Sequence, residues 1–164
     1  MTSLVCSWDG EALVPLRAKD ADEALTIGVR YAIVIEEPRN MAAHRGYFAR
    51  LHEAWQSMPA DLVDEYPSSE HLRKRALIRT GYATLTDFVC ASSAHAVEAA
   101  KAFTGADKYA LVEISDRAVR IWRAESQSIP AMGSQRFKQS VEDVERWIGD
   151  LLGTTPAEMR RAAA

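Results

Sequence analysis

The stretch SVEDVERWIGDLLG, residues 140–153, sets the strictest limit on what this chain folds into. Its apolar residues recur at steps of three and four, which predicts a helix with one apolar face. The residues on this face are Phe137, Val141, Val144, Ile148 and either Leu151 or Leu152. Gly153 follows as the usual terminator of a helix. Such a helix needs a hydrophobic layer to cover, so the chain must build one from its other segments.

Strands are predicted where apolar residues alternate. Apolar runs flank Asp9-Gly10, a dipeptide that accepts the positive φ of a tight hairpin turn. The run VRYAIVI predicts a further strand, mostly buried. The segments with strand patterns are about 3–8, about 11–16, 29–35, 109–115 and 118–125. Residues 84–90 fit either a short strand or an extension of the preceding helix.

A helix is predicted between Pro38 and Pro59, with Asn40 as its N-cap. The apolar stripe of this helix should face the core, because its members recur at steps of three and four. They are Met41, His44, Phe48, Leu51, Trp55 and Met58. His44 therefore has a packing role in this interpretation, in preference to a role in a ligand site.

Three more segments have helical patterns and helix-terminal signals. The serines at 68–69 cap a helix that ends near Gly81, with its apolar side inward and its basic residues outward. An alanine-rich helix closes at Gly105. A threonine cap followed by proline begins a last short helix over residues 155–164, which we expect to fray.

These elements predict an α+β fold in which a small antiparallel sheet packs against several helices. The sheet would contain the N-terminal hairpin and the later strands. At 164 residues the chain is long enough for one domain with a real core, so we expect residues 1–164 to form a single domain.

Charge is spread unevenly along the chain. The formal net charge is −3, which lacks the basic footprint of a typical stand-alone duplex-DNA binder. Residues 1–38 carry seven acids against three bases. The sequence has neither a signal-peptide pattern nor an apolar run long enough to span a bilayer, so we expect a cytoplasmic protein without membrane contact.

Sequence patterns for catalysis are missing. The histidines and cysteines lack the close spacing of a zinc site, and the chain contains no GxSxG elbow and no glycine-rich phosphate loop. We therefore predict a protein that is not an enzyme, with no catalytic residue, metal or cofactor. An enzymatic alternative would need Glu36, Asp64 or Asp87 to cluster near a histidine.

The segment HLRKRALIR holds the main candidates for a binding site. Arg73, Lys74, Arg75 and Arg79 occur there with no acid between residues 71 and 86. Unpaired cations on one helix favour a phosphate or nucleic-acid contact about as much as a solvated helix face.

Other candidates for nucleic-acid contact lie outside that segment. Arg39 precedes a helix N-terminus, where backbone N–H groups favour an anion, and Arg45 follows on the same helix. Trp122 stands between Arg120 and Arg123, a pattern that suits base stacking with single-stranded nucleic acid. Tyr82 is a second stacking candidate. A core tryptophan with solvated arginines explains the same residues around Trp122.

Two stretches carry a resemblance to a known family. RNMAAHRGYFARLHEAW and SQSIPAMGSQRFKQSVEDVERWIGDLLG resemble a family of uncharacterised phage and prophage proteins and, more distantly, the Orf/NinB recombination mediators of lambdoid phages. The positions that match the family pattern are Arg39, Asn40, His44, Arg45, Tyr47 and Phe48.

The resemblance implies a phage accessory protein that binds single-stranded DNA in recombination, often as a homodimer. It also implies contact with a single-strand-binding protein or a recombinase. An alternative is a protein-interaction module, such as a phage protein that binds or inhibits a host factor, since an acidic surface with exposed aromatic residues would suit a protein partner.

Overall fold

A computed structural model describes residues 4–35, 41–128 and 130–162. Contacts between residues group the chain into two units, Met1–Ile35 and Glu36–Ala164, and each unit is described here by itself. Helices and two small antiparallel sheets confirm the predicted α+β class. The expectation of a single domain over residues 1–164 stays a prediction.

The first unit contains the predicted hairpin. Strands β1 (Cys6–Trp8) and β2 (Leu13–Pro15) pair antiparallel, and helix α1 (Ala18–Ala24) follows. The Asp9 carboxylate accepts hydrogen bonds of 2.8 Å from the backbone of both Glu11 and Ala12, which closes the turn. These backbone donors hold the pKa of Asp9 below its ordinary value.

The predicted buried strand at residues 29–35 is wrong. These residues belong to no strand, and Ile33, Val34 and Ile35 are exposed. An alternating pattern indicates a strand only if a neighbouring strand supplies its backbone hydrogen bonds. The sheet of the first unit consists of β1 and β2 alone, and neither pairs with this segment.

The second unit contains a three-stranded antiparallel sheet in the order β3-β5-β4. The strands are β3 (Ala83–Val89), β4 (Leu111–Ser115) and β5 (Ala118–Ala124). The structure thus resolves the ambiguity at residues 84–90 in favour of a strand. Helix α5 (Ser93–Ala106) covers one face of the sheet, where small alanines of the helix pack against Val119 and Ile121.

The remaining helices form a second layer. They are α2 (Met41–Gln56), α3 (Ala60–Val63), α4 (Ser69–Arg79), α6 (Ser134–Leu152) and α7 (Pro156–Ala162). Their shared core contains Leu51, Leu72, Leu77, Val144 and Ile148. The predicted apolar face of α6 and the predicted inward side of α4 are therefore confirmed.

The predicted core stripe of α2 is partly wrong. Leu51 and Met58 are buried as expected, but Tyr47 and Ala54 complete the buried face. Phe48 is 37% exposed and Met41 is 47% exposed. Positions 47 and 48 are both aromatic, so the spacing of apolar residues does not decide which of the two faces the core. The predicted rotation of the helix about its axis is therefore uncertain by one residue.

Three helix ends follow the predicted signals, whereas α5 continues through Gly105 to Ala106. The Ser68 hydroxyl accepts a hydrogen bond from the backbone of His71 at the start of α4. Gly153 ends α6 in the left-handed conformation with φ 65°. Thr155 and Glu158 then exchange backbone and side-chain hydrogen bonds of 2.8 and 3.2 Å, a capping box that begins α7.

The close passage of the chain past Gly149 generates a stability prediction. A Cβ atom at this position would lie 2.7 Å from the backbone oxygen of Thr154. Gly149→Ala should lower the free energy of unfolding by about 1–3 kcal/mol, because overpacking against backbone is not relieved by a side-chain rotation. Urea denaturation measures the change.

The matched control is Gly105→Ala, which lies in α5 with open space around its Cβ position. Alanine there should leave stability unchanged or raise it by up to about 1 kcal/mol through helix propensity. Equal effects of the two substitutions would contradict the role assigned to the contact at Gly149.

Candidate nucleic-acid interface

Arg73 is buried, so its predicted outward, phosphate-binding position is wrong. It is 7% exposed, and its Nε donates to Glu70 Oε2 at 2.8 Å. A second guanidinium nitrogen donates to Gln127 Oε1 at 2.6 Å, and the guanidinium carbon lies 5.4 Å from the centre of the Phe48 ring. Glu70 stands one residue before the acid-free stretch, at the i,i+3 spacing that favours an ion pair.

A buried polar network extends from Arg73 into the helical layer. Gln127 also accepts a 3.4 Å hydrogen bond from the Tyr47 hydroxyl and donates at 2.8 Å to Ser140. The Ser140 hydroxyl in turn donates to the backbone oxygen of Phe137. Burial raises the pKa of Tyr47 far above its ordinary value, so its hydroxyl stays protonated.

A second ion pair crosses from α2 to α6. Two nitrogens of the Arg50 guanidinium lie 2.6 and 2.7 Å from Glu145 Oε1, and the Glu145 side chain is only 1% exposed. An acid this deeply buried requires a cation close by. Arg50 therefore has a structural role, which no local sequence pattern indicates because Glu145 lies 95 positions away.

A pair of aromatic rings with a cation over one of them lies at α4, and two further cations follow along the helix. The rings of His71 and Tyr109 lie 4.7 Å apart, and Lys108 Nζ lies 5.0 Å from the centre of the Tyr109 ring. Among the described residues, Lys74, Arg75 and Lys108 form no ion pair. We call the set His71, Lys74, Arg75, Lys108 and Tyr109 the basic-aromatic surface.

Burial and nearby charges both change the pKa of His71. It is lowered first by partial burial and then by the positive charges of Lys108 and Arg75, which outweigh the effect of nearby Glu70. Partial burial and the neighbouring Arg73 likewise lower the pKa of Lys74. Burial is the larger cause of both shifts, and the positive charges beside His71 add a local attraction for an anion.

Arg75 and Arg79 extend the positive charge along α4. Arg79 is exposed. Burial raises the pKa of Tyr66 to about 12, against the opposing effect of the positive charges of Arg75 and Arg79. The positive charge of Arg75 therefore acts on both His71 and Tyr66. Of the four predicted basic residues in this helix, Lys74, Arg75 and Arg79 remain as candidates.

The other predicted candidates are Arg39, Arg45, Tyr82 and Trp122. Arg39 lies outside the described residues. Arg45 is exposed on α2. Tyr82 is 7% exposed and donates a 2.7 Å hydrogen bond to Asp143, so its expected stacking role conflicts with its burial.

Trp122 lies on the face of the sheet opposite Arg123. The Arg123 guanidinium packs over Phe103 of α5 and lies 3.5 Å from Asp107. Trp122 is half-buried, and its cross-strand neighbours are Leu85 and Leu111. Trp122 and Arg123 are neighbours in the sequence but lie on opposite faces of the sheet, because alternate residues of a strand point in opposite directions.

Arg120 shares the open face with Trp122, but carboxylates flank it. Asp87 on β3 and Glu113 on β4 are its directly paired residues. Opposite charges in this arrangement attract across strands, so this row has no excess of positive charge for a phosphate. The sequence patterns did not indicate Lys108 and Tyr109 as site residues, because only the fold brings them close to His71.

The part of the chain that the structure describes contains no group of three or more histidine, cysteine or acidic side chains placed to hold a metal ion. None of its helices is long and apolar enough to cross a membrane.

Comparison with protein families, with curated proteins and with solved structures gives no match to this chain. The resemblance to phage recombination proteins therefore stays a prediction.

The buried network generates a second stability prediction. Gln127→Leu removes a hydrogen-bond partner from buried Arg73 and should lower the free energy of unfolding by about 1–3 kcal/mol. Chemical denaturation is the measurement. The control Gln135→Leu, on an exposed position of α6, should change stability by less than about 0.5 kcal/mol. A neutral Gln127→Leu variant would contradict the structural role of the network.

Proposed function

We propose that this chain is a non-catalytic protein that binds single-stranded DNA through the basic-aromatic surface. The observation that carries the proposal is that Lys108 lies over the Tyr109 ring, which packs against His71, while Lys74 and Arg75 follow His71 on α4. Cations neutralise phosphates, while an accessible aromatic ring offers a stacking platform for an unpaired base.

The number of cations sets the kind of binding to expect. Three contacts on an acidic protein support weak and salt-sensitive attachment, since affinity for nucleic acid depends strongly on neutralised phosphates. The small patch and its ring pair favour a flexible single strand over a rigid duplex. Arg79 and Arg45 are further candidates for phosphate contact as the strand leaves the patch.

The biological setting of this proposal comes from the resemblance. It assigns the protein to phage DNA recombination in the cytoplasm, acting as a homodimer together with a single-strand-binding protein or a recombinase. The residues that carry the proposed DNA contact lie in α4 and in the segment after α5, whereas the matching family motif lies in α2. The DNA contact and the recombination role are therefore testable separately.

Salt dependence tests the DNA contact. The logarithm of the affinity for a fluorescent oligonucleotide should fall with the logarithm of salt at a slope of about −2, since each neutralised phosphate of a single strand contributes about −0.7. Lys74→Ala and Lys108→Ala should each reduce the slope by about 0.7. Fluorescence anisotropy over a salt series is the measurement.

The control for this series is Lys138→Ala, an exposed position on α6 outside the basic-aromatic surface. Its slope and affinity should equal those of the unchanged protein. Loss of binding in this control to the same extent as in Lys74→Ala would contradict a localised site, and so would binding that does not respond to salt.

Titration of His71 provides an independent test. Burial and, after it, the neighbouring cations lower its pKa in the free protein, so phosphates that neutralise those cations should raise that pKa when an oligonucleotide binds. NMR observation of the His71 ring during a pH titration measures the shift. An oligonucleotide with an uncharged methylphosphonate backbone should leave the His71 pKa unchanged. An unaltered pKa with ordinary DNA would contradict phosphate contact at this surface.

A second candidate function, a protein-interaction module, is favoured by the first unit. None of residues 4–35 is buried, although many are large and apolar. Ile27, Val34 and Ile35 are 101, 88 and 74% exposed. Large apolar side chains exposed in this number within one short segment are typical of a segment that contacts another protein.

The second candidate requires its own experiment. A pull-down from host lysate with the full chain should return one partner whose capture survives nuclease treatment. Ile27→Asp combined with Val34→Asp should abolish this capture while leaving the affinity for single-stranded DNA unchanged. Capture that both aspartates leave intact would exclude the first unit as the interaction surface.

A further inference from the structure

A cleft of about 610 Å³ lies beside the end of α2, the end of α6 and the start of α7. It shares no residue with the basic-aromatic surface. The residues of its wall that bear on its chemistry are Arg50, Glu53, Ala54, Leu152, Glu158 and Met159. Both acidic and apolar side chains therefore line the same space.

Glu53 is the unusual member of this wall. Its Oε2 has less than 1 Å² of exposed area and has no hydrogen-bond partner among the described residues. Burying a carboxylate oxygen without a partner is costly, and such groups are normally paired or hydrogen-bonded. The nearby cation, Arg50, is already held by Glu145 at 2.6 Å.

The rest of the wall favours a positive charge in the same space. Glu158 accepts hydrogen bonds from the backbone and hydroxyl of Thr155, which hold its pKa below the ordinary value and keep it ionised. The cleft also lies at the C-terminal ends of α2 and α6, where helix dipoles favour cations.

The side chains that line the cleft favour an organic cation over a metal ion. A metal ion would need more oxygen or nitrogen ligands than two carboxylates supply, and no group of three such side chains is found in the described part of the chain. Ala54, Leu152 and Met159 instead provide apolar contact for a short aliphatic chain.

We propose that this cleft binds an alkylammonium or alkylguanidinium group, with Glu53 as the carboxylate that receives the cation. A rotation of the Glu53 carboxylate towards the cleft would bring Oε2 within reach of the cation, whose charge-assisted hydrogen bonds would satisfy it, and the aliphatic chain would pack on the apolar part of the wall. Such a group occurs both in free diamines and in lysine or arginine side chains.

The test uses two probes that represent these two sources. One is 1,4-diaminobutane and the other is a lysine tripeptide blocked at both ends, each titrated into the full chain and followed by NMR at the backbone amides of Glu53, Gln56 and Thr154. Both should shift these amides, while 1-butanol should not. Binding of the diamine alone identifies a free amine as the natural ligand, and equal or tighter binding of the tripeptide identifies a protein side chain.

Substitutions assign the cation to Glu53. Glu53→Gln should weaken binding at least about tenfold, because a neutral amide loses the charge-assisted bond. Glu142→Gln, an exposed acid of α6 outside the cleft, should stay within about twofold of the unchanged protein, as for substitutions distant from a site. Gln56→Glu adds a charge at the rim and should tighten binding, which keeps the test informative if Glu53→Gln fails to fold.

Three results would overturn the proposal. The first is the absence of shifts at the cleft amides with both cations, and the second is equal binding of 1-butanol. The third is binding that Glu53→Gln and Gln56→Glu both leave unchanged.

Discussion

The buried guanidinium of Arg73 is the interaction on which the helical layer depends. A guanidinium removed from water needs partners for its donors, and Glu70 and Gln127 provide them. Gln127 also forms hydrogen bonds with Ser140 on α6 and with Tyr47 on α2, so the network connects α4 to both helices. The apolar core alone would tolerate small shifts of these helices, but a network of directional hydrogen bonds permits only one arrangement.

The inward direction of Arg73 also decides what α4 presents to solvent. The Arg73 guanidinium is paired in the interior. The outer side of the helix therefore carries Lys74 and Arg75, which form no ion pair among the described residues. Lys108 and Tyr109 approach from the end of α5. Structural and binding roles thus divide between neighbouring residues of one short segment.

Local signals in the sequence were sufficient for most elements of the fold. The cap at Ser68, the terminator at Gly153 and the turn at Asp9 depend on residues two to four positions apart, so their geometry follows from the chain itself. The strand predicted at residues 29–35 failed because a strand depends on a partner that the pattern cannot name.

The candidate site was less predictable, because distant residues complete it. Gln127 lies 54 positions after Arg73, and no periodicity relates the two. Tyr109 likewise reaches His71 only through the packing of the fold. Composition and spacing indicated a basic segment, but they did not show that Arg73 is the member of it that packs in the interior.

The acids that flank Arg120 have a consequence for self-association. Asp87 belongs to β3 and Glu113 to β4, and these are the two outer strands of the sheet. Each outer strand thus displays a negative charge beside its unpaired backbone, the usual protection against strand-to-strand aggregation. Two copies that paired the same strand with these acids opposite each other would bring like charges together, which disfavours self-association in that register.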